Sequence, residues 1–323
     1  MNQTRAAQPI IIAHRGASGY LPEHTLAAKA LAHAMRANYL EQDVVLSKDS
    51  VPLVLHDIHL ETTTDVQQLF PGRVRDDGRY YALDFTLLEI RQLRVHERSR
   101  RNKAGQEVAV YPGRFPLGPG TCGVPTLEEE INFIAGLDRS RNCTTGLYVE
   151  LKSPNWHTNQ GYNIADRVMA VLEKTGYAGR PEQVYLQCFD DKTLQYLHSI
   201  VKTKLPLIQL IADNRWGEDS GVDYDYLMTP EGLDNVARYA TGIGPWIMQI
   251  FRGKNAEGVA QLSDLVDNAH ERGLLVHPYT FRQDELPPGI GDFSELLDIF
   301  INTAKIDGLF TDFPDTVRSF LRQ

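Results

Sequence analysis

The chain has 323 residues, 42% of them hydrophobic and 23% charged, a composition ordinary for a globular protein and a length that one (β/α)8 barrel with an insertion absorbs without a second core. A formal net charge of −9 argues against a nucleic-acid groove, which needs clustered Lys and Arg, and no apolar run approaches the ~20 residues of a membrane span. A small anionic ester stays open as a ligand, because a local Arg, Lys or metal ion overrides the global field at close range.

Residues 1–8 are polar and lack the apolar region of a signal peptide, which fits either a cytosolic enzyme or the mature form of an exported one. Ile10-Ile11-Ile12-Ala13 predicts a strand that stops on His14-Arg15-Gly16. Pro22-Glu23-His24-Thr25 reads as a helix start with Glu23 near the positive end of the dipole; residues 26–37, rich in Ala and Leu, form the helix and Asn38 closes it. The next apolar run carries Glu41-Gln42-Asp43. Side chains alternate along a strand, so Glu41 and Asp43 point the same way. Two carboxylates on one face repel unless a cation lies between them, and oxygen ligands suit a hard divalent ion.

A third short run, residues 51–55, ends on His56-Asp57 and follows too closely for a crossover helix, so it predicts a hairpin extension. His14 and His56 would flank the carboxylates, each able to exchange a proton near pH 7, and Arg15 offers a planar fork to phosphate. Taken singly, a strand-end histidine is more often structural, and an E-x-D pair is as often a solvated edge. The whole set in this order, on strand ends that converge on one face of a parallel β/α protein, shifts the balance to chemistry.

Residues 58–120 break the rhythm with turn residues and charges of both signs, which predicts a loop-rich, cap-like subdomain inserted between the second strand and its helix, beside the barrel mouth. A solvated decoration remote from the site is the alternative. Thr126 with Glu129 three residues later has capping-box spacing, so the glutamates there mark a helix start rather than metal ligands. Residues 146–152 then form a strand with Glu150 and Lys152 on one face. Glu150 supplies a third carboxylate and Lys152 a cation for phosphate oxygens; a plain Glu150–Lys152 ion pair is the competing reading.

Further strands are predicted at 184–187, 207–211, 242–243, 274–279 and 307–310, with helices near 191–201, 230–239, 258–272, 293–304 and 314–321. That alternation points to a parallel β/α barrel. The acidic stretch 213–225 lacks the ligand pattern of a calcium loop. Phe189, Tyr279 and Phe313 stand at strand ends and could wall an organic group, although such aromatics are more often core. His277 is a polar position alternating with a buried face. Cys122 and Cys143 could pair only if their loops fold back, free thiols being commoner, and Cys188 would be left over.

Together, His14-Arg15-Gly16-Ala17, Pro22-Glu23-His24-Thr25, Glu41-Gln42-Asp43 and His56-Asp57 resemble the glycerophosphodiester phosphodiesterase family. The resemblance continues through Tyr148-Val149-Glu150-Leu151-Lys152, Tyr185-Leu186-Gln187-Cys188-Phe189-Asp190, Val276-His277-Pro278-Tyr279-Thr280 and Gly308-Leu309-Phe310-Thr311-Asp312-Phe313-Pro314-Asp315. It spans nearly the whole chain and looks most like the bacterial periplasmic members. It implies a TIM barrel that hydrolyses glycerophosphodiesters, such as glycerophosphocholine or glycerophosphoethanolamine, to sn-glycerol 3-phosphate and an alcohol.

His14 and His56 are the acid–base pair, with His56 as base and His14 as acid the preferred order, an order that the sequence itself leaves open. Glu41, Asp43 and Glu150 hold one divalent cation, calcium by resemblance with magnesium the chemical alternative. Arg15 and Lys152 bind phosphate; by the same resemblance Tyr279 faces substrate and the location is periplasmic or secreted. Many relatives carry Asn where His24 stands, a departure expected to lie outside the metal and proton-transfer residues. A phosphoinositide-directed or phospholipase D-like enzyme would call for a basic amphipathic stretch that the chain lacks. A non-catalytic binding protein would be favoured by a missing histidine or a broken carboxylate triad, and neither is seen. Head-group preference and oligomeric state are not legible.

Overall fold

Residues 8–118 and 120–322 are described by the structure, a computed structural model; the expectation for the polar N-terminal segment falls, except for Gln8, outside them. Strand β1 (Ile10–Ala13) and β2 (Tyr39–Leu46) are followed by β3 (Pro52–Val54) and by a hairpin of β4 (Ser99–Arg101) and β5 (Glu107–Ala109). The chain returns through β6 (Gly146–Leu151), β7 (Val184–Cys188), β8 (Leu207–Ile211) and β9 (Gly242–Pro245). A second hairpin, β10 (Phe251–Lys254) with β11 (Ala260–Leu262), precedes β12 (Leu275–Val276) and β13 (Gly308–Thr311). Eight strands pair in parallel in the order β12-β9-β8-β7-β6-β2-β1-β13. The two ends meet through Asp307 N–H to Val276 O and Phe310 N–H to Pro278 O, both 3.1 Å, so the sheet is a nearly closed (β/α)8 barrel.

The strand period sorts the side chains into two layers. Outward residues such as Ile11, Leu40, Val44, Leu147, Val149 and Leu309 join the large core under the helices. Ile12, Tyr148, Ile208 and Phe310 meet inside the barrel instead. Two residues further along three of these strands, the inner layer turns polar at His14, Glu150 and Asp312. A change from apolar to charged along the same face puts the chemistry at the carboxyl ends of the strands, where barrel active sites lie. Gly16 (φ +89°) makes the turn after β1 possible: a Cβ there would sit 2.9 Å from the backbone of Ala28 in the first helix.

The helix Leu26–Ala34 is capped by Thr25, whose side chain accepts from Ala28 N–H. The helix Leu127–Arg141 opens on the Thr126–Glu129 capping box. β3 runs antiparallel to β2, as the short link between them requires. Between them and the helix Leu127–Arg141, residues 58–120 build short helices and the β4–β5 hairpin over a separate cluster that includes Leu60, Tyr80, Phe85, Ile90 and Leu93.

Several expectations need correction. The helix Ile164–Lys174 was not foreseen, although it buries Ile164, Ala165, Val168, Met169 and Leu172 at helical spacing. Only Leu265–His270 is α-helical in the stretch 258–272, because Ala260–Leu262 is committed to a hairpin. The stretches 191–201 and 293–304 each end in a π-helical turn, Leu197–Val201 and Ile299–Thr303. The cysteines need none: Cys122, Cys143 and Cys188 are all free, the commoner case expected of them.

Candidate active site at the carboxyl ends of the strands

A cavity of about 670 Å³ opens at this end of the barrel, and His14, Arg15, Glu41, Asp43, His56, Glu150 and Lys152 all line it. Glu41 and Asp43 point inward from β2, and Asp43 is the register partner of Glu150 on β6. Neighbouring parallel strands therefore set two carboxylates side by side, with Glu41 next to them. Arg15 N–H donates to Glu41 Oε2 at 2.5 Å.

Crowding of these acids shows in their protonation. Burial, then the charge on Asp43, pushes Glu41 well above the usual carboxylate range. Burial also raises Glu150, to about 8, with Lys152 opposing and Asp43 adding to the rise. Burial alone would raise Asp43 too, yet His56, the hydrogen bond from His24 and Lys152 hold it well below its ordinary value. Asp43 Oδ1 is buried without a hydrogen-bond partner. An unpartnered buried oxygen beside two acids that resist ionising together fits a hard divalent cation taking oxygen ligands.

His24 belongs to this group, contrary to expectation. It lies in the left-handed region (φ +59°), which turns its ring onto β2, where Nε2 is 2.7 Å from Asp43 Oδ2. The ligating atoms of His24, Glu41 and Asp43 lie within 4.8 Å of one another. No local sequence signal encodes that turn. Another candidate group among the described residues, His33, Asp138 and Cys143, is closed by its own hydrogen bonds: Thr145 takes both Asp138 oxygens, and Arg141 Nη1 is 3.2 Å from His33 Nδ1.

The two proposed proton carriers are held alike. His14 Nδ1 lies 2.6 Å from Asp312 Oδ1, and His56 Nδ1 lies 2.5 Å from Asp57 Oδ1. In each ring Nδ1 is occupied by a carboxylate, which leaves Nε2 for the cavity. Burial and the neighbouring Arg15 bring His14 down to about 4. Burial, Arg15 and Lys152 bring His56 down to about 3. Both rings are neutral at pH 7, the form in which Nε2 accepts a proton.

Arg15 is partly engaged. Its Nη1 donates to both oxygens of Glu23 at 3.1 and 3.0 Å, and its Nε is buried without a hydrogen-bond partner. Glu23 therefore serves a guanidinium rather than the helix dipole expected of it. Lys152 Nζ donates to Glu150 at 2.7 Å and lies 3.4 Å from His56 Nε2, so the ion pair weighed against a phosphate role is present in the free site. Phe189 and Tyr279 line the cavity. Phe313 does not: it stands just before the helix Pro314–Phe320 with its ring buried against Tyr20, ring centroids 5.4 Å apart. His277 is 1% exposed and bonded to the Tyr148 hydroxyl within the barrel, away from that wall.

Asp312, Arg282, Trp216, Trp246 and Glu218 were missed. Asp312 was legible, since it follows Phe310 by one strand period on the inner face. Arg282 Nε donates to Asp312 Oδ2 at 2.8 Å. Trp246 directly follows β9 and is bridged to Tyr279, whereas Trp216, its centroid 5.1 Å from that of Trp246, and Glu218 come from the irregular stretch after β8 that no periodic pattern places.

Residues 14–316 match the glycerophosphoryl diester phosphodiesterase family. The chain is 41% identical to a glycerophosphodiester phosphodiesterase of Haemophilus influenzae, over 99% of this chain and 92% of that one. It is 36% identical to another of the same description from Treponema pallidum, over 98% and 92%. The fold is shared with a solved protein of Silicibacter pomeroyi (TM-score 0.73, 24% identity, covering 98% of this chain and 94% of that one). It is shared as well with an Oleispira antarctica phosphodiesterase solved with its product sn-glycerol-3-phosphate (TM-score 0.63, 20% identity, 98% of each chain).

Proposed function

The chain belongs to the glycerophosphoryl diester phosphodiesterase family and hydrolyses glycerophosphodiesters, and from that premise we propose that His14 and His56 exchange the protons of the reaction across one divalent-cation site. The observation that carries this reading is the matched anchoring of the two rings, each fixed at Nδ1 by a carboxylate beside the same three inward acids. Glycerophosphocholine and glycerophosphoethanolamine are the proposed substrates, with sn-glycerol 3-phosphate as product; that product is bound in the Oleispira relative's structure.

Glu41, Asp43 and Glu150 would hold the cation, with His24 against Asp43. When bound, the ion supplies Lewis-acid polarisation of a phosphate oxygen and lowers the pKa of a glycerol hydroxyl. Calcium is the proposed ion and magnesium the alternative. Arg15 and Lys152 face the remaining phosphate charge as it grows in the transition state. His56, neutral, takes the proton of the attacking glycerol hydroxyl. That oxygen bonds to phosphorus while the phosphorus–oxygen bond to the alcohol breaks. His14 gives the departing alkoxide its proton; the phosphodiester's own charge, brought against the ring, favours its protonated form. Water then opens the cyclic phosphate with the two roles exchanged. The aromatic side of the cavity, Phe189, Tyr279, Trp216 and Trp246, is left for the alcohol.

The test is release of glycerol 3-phosphate from glycerophosphocholine. Chelation should abolish it, calcium or magnesium should restore it, and His14→Ala or His56→Ala should lower kcat by ~10²–10⁴-fold while divalent-cation binding persists. Normal turnover by either variant would refute the assignment.

A further inference from the structure

Two arginines of the inserted segment 58–120 stand directly behind the two histidines. Arg98, at the foot of the β4–β5 hairpin, donates from Nη1 to Asp57 Oδ2 at 2.7 Å. The other oxygen of that carboxylate holds His56 Nδ1, and Thr62 donates to Asp57 Oδ2 at 2.7 Å. The rest of the Arg98 fork, Nε and Nη2, takes both oxygens of Glu23 at 2.8 and 2.6 Å, the carboxylate that also receives Arg15.

Arg114 repeats the pattern on the other side of the cavity. Its Nη2 lies 2.8 Å from Asp312 Oδ2, while Asp312 Oδ1 holds His14 Nδ1. Asp284 receives Nε at 2.8 Å, Tyr111 lies under the guanidinium at 3.7 Å, and the Arg114 side chain is only 4% exposed.

We propose that the inserted segment is a working part of the active site: Arg98 positions His56 through Asp57, and Arg114 positions His14 through Asp312. In both chains of contact the arginine occupies the carboxylate oxygen that the histidine leaves free. This fixes the carboxylate's rotation about its own axis, and with it the direction in which the imidazole Nε2 faces. A guanidinium suits the task because its planar fork holds two carboxylates in a fixed geometry, whereas a lysine ammonium is a compact point charge on a flexible stem. The barrel alone supplies His14, His56, Asp57 and Asp312, but of these relays it supplies only Arg282, on Asp312. The bland alternative is that the arginines merely fasten the insertion to the barrel. In that case their loss would lower stability and leave turnover per folded molecule unchanged.

The proposal rests on His14 and His56 being the proton carriers, and the experiment separates the two claims. Arg98→Met and Arg114→Met are made in the full chain and assayed for kcat and KM on glycerophosphocholine. Cation affinity is measured by calorimetry, and the folded fraction is used to normalise turnover. Partners that orient a functional group through another side chain are typically worth ~10–100-fold. Each variant is therefore expected to lose that much kcat, with KM changed less than about threefold and cation affinity retained.

Double variants supply the readout that a structural role would not give. Arg98→Met should add nothing in a His56→Ala background, nor Arg114→Met in a His14→Ala background, whereas the crossed pairs should multiply. Arg98→Lys, which retains the charge without the fork, should fall between wild type and Arg98→Met; it also serves where Arg98→Met folds poorly. Wild-type kcat in the arginine variants, or losses that multiply with those of their own histidines, would overturn the proposal. Normal turnover in His14→Ala or His56→Ala would instead overturn the reading beneath it.

Discussion

His277 stands on the inner face of the barrel with Nδ1 2.8 Å from the Tyr148 hydroxyl, and burial brings its pKa down to about 4. Between pH 6.5 and about 4 the unfolded chain binds a proton at this position that the folded chain excludes. Its contribution is therefore complete above pH 6.5 and is lost as the pH falls towards 4, by roughly 3 kcal/mol. In His277→Gln, which keeps a partner for Tyr148, the decline of unfolding free energy between pH 7 and pH 4.5 should be shallower by a measurable part of that amount. Urea midpoints at the two pH values read it, and an unchanged decline would remove His277 from the acid sensitivity. His24 differs because it touches Asp43, one of the three proposed cation ligands. His24→Ala should weaken divalent-cation affinity by ~10–100-fold in calorimetry; unaltered affinity would return the ring to a purely structural role. From the sequence His277 is only a polar position alternating with a buried face. Its inward direction and its depth both come from closure of the barrel, and the left-handed turn that brings His24 to Asp43 depends on where the chain must go next.

Glu41, Asp43 and Glu150 could be read from the sequence as inward carboxylates because a strand has a fixed period of two. Their proximity is a property of register, Asp43 opposite Glu150, which only the closed barrel determines. Helices carry a similar split. The amphipathic spacing of Ile164–Lys174 was readable and overlooked. The pairing of the first two long helices was not readable, since it depends on Lys29 and Glu130, both fully buried. Lys29 Nζ donates to Glu130 Oε1 at 2.7 Å and also to the backbone carbonyl of Glu41, and Gln42 Nε2 donates to the same Glu130 oxygen at 3.0 Å. This cluster fastens two helices to the back of the strand that presents Glu41 and Asp43. Lys29→Met removes one partner and leaves the other buried, a change that typically costs about 3–5 kcal/mol. Pairing it with Glu130→Leu should recover more than half of the loss in denaturant unfolding. Equal stabilities of the single and double variants would show that the helices pack without help from the pair.

Across the whole molecule the active site opposes the fold that carries it. Three acids, two imidazoles and several cations are enclosed at one end of the barrel, and the acids resist ionising together. Glu150 lies near 8 and Glu41 well above its ordinary value, chiefly through burial. Between pH 4.5 and about 8 the folded, cation-free protein therefore holds protons that the unfolded chain releases, so these groups lose their contribution as the pH rises. That sign is opposite to the one at His277. A bound cation takes over the role of those protons, and binding to the folded state alone stabilises by about 2.7 kcal/mol at a hundredfold excess over Kd. Chelator-treated protein should thus lose thermal stability between pH 5 and pH 8, and saturating calcium should flatten that limb. The gap between the two melting curves should be widest at the alkaline end and narrow towards pH 5, where protonated carboxyls no longer need the ion. Parallel curves at all pH values would mean that the three acids do not share one cation.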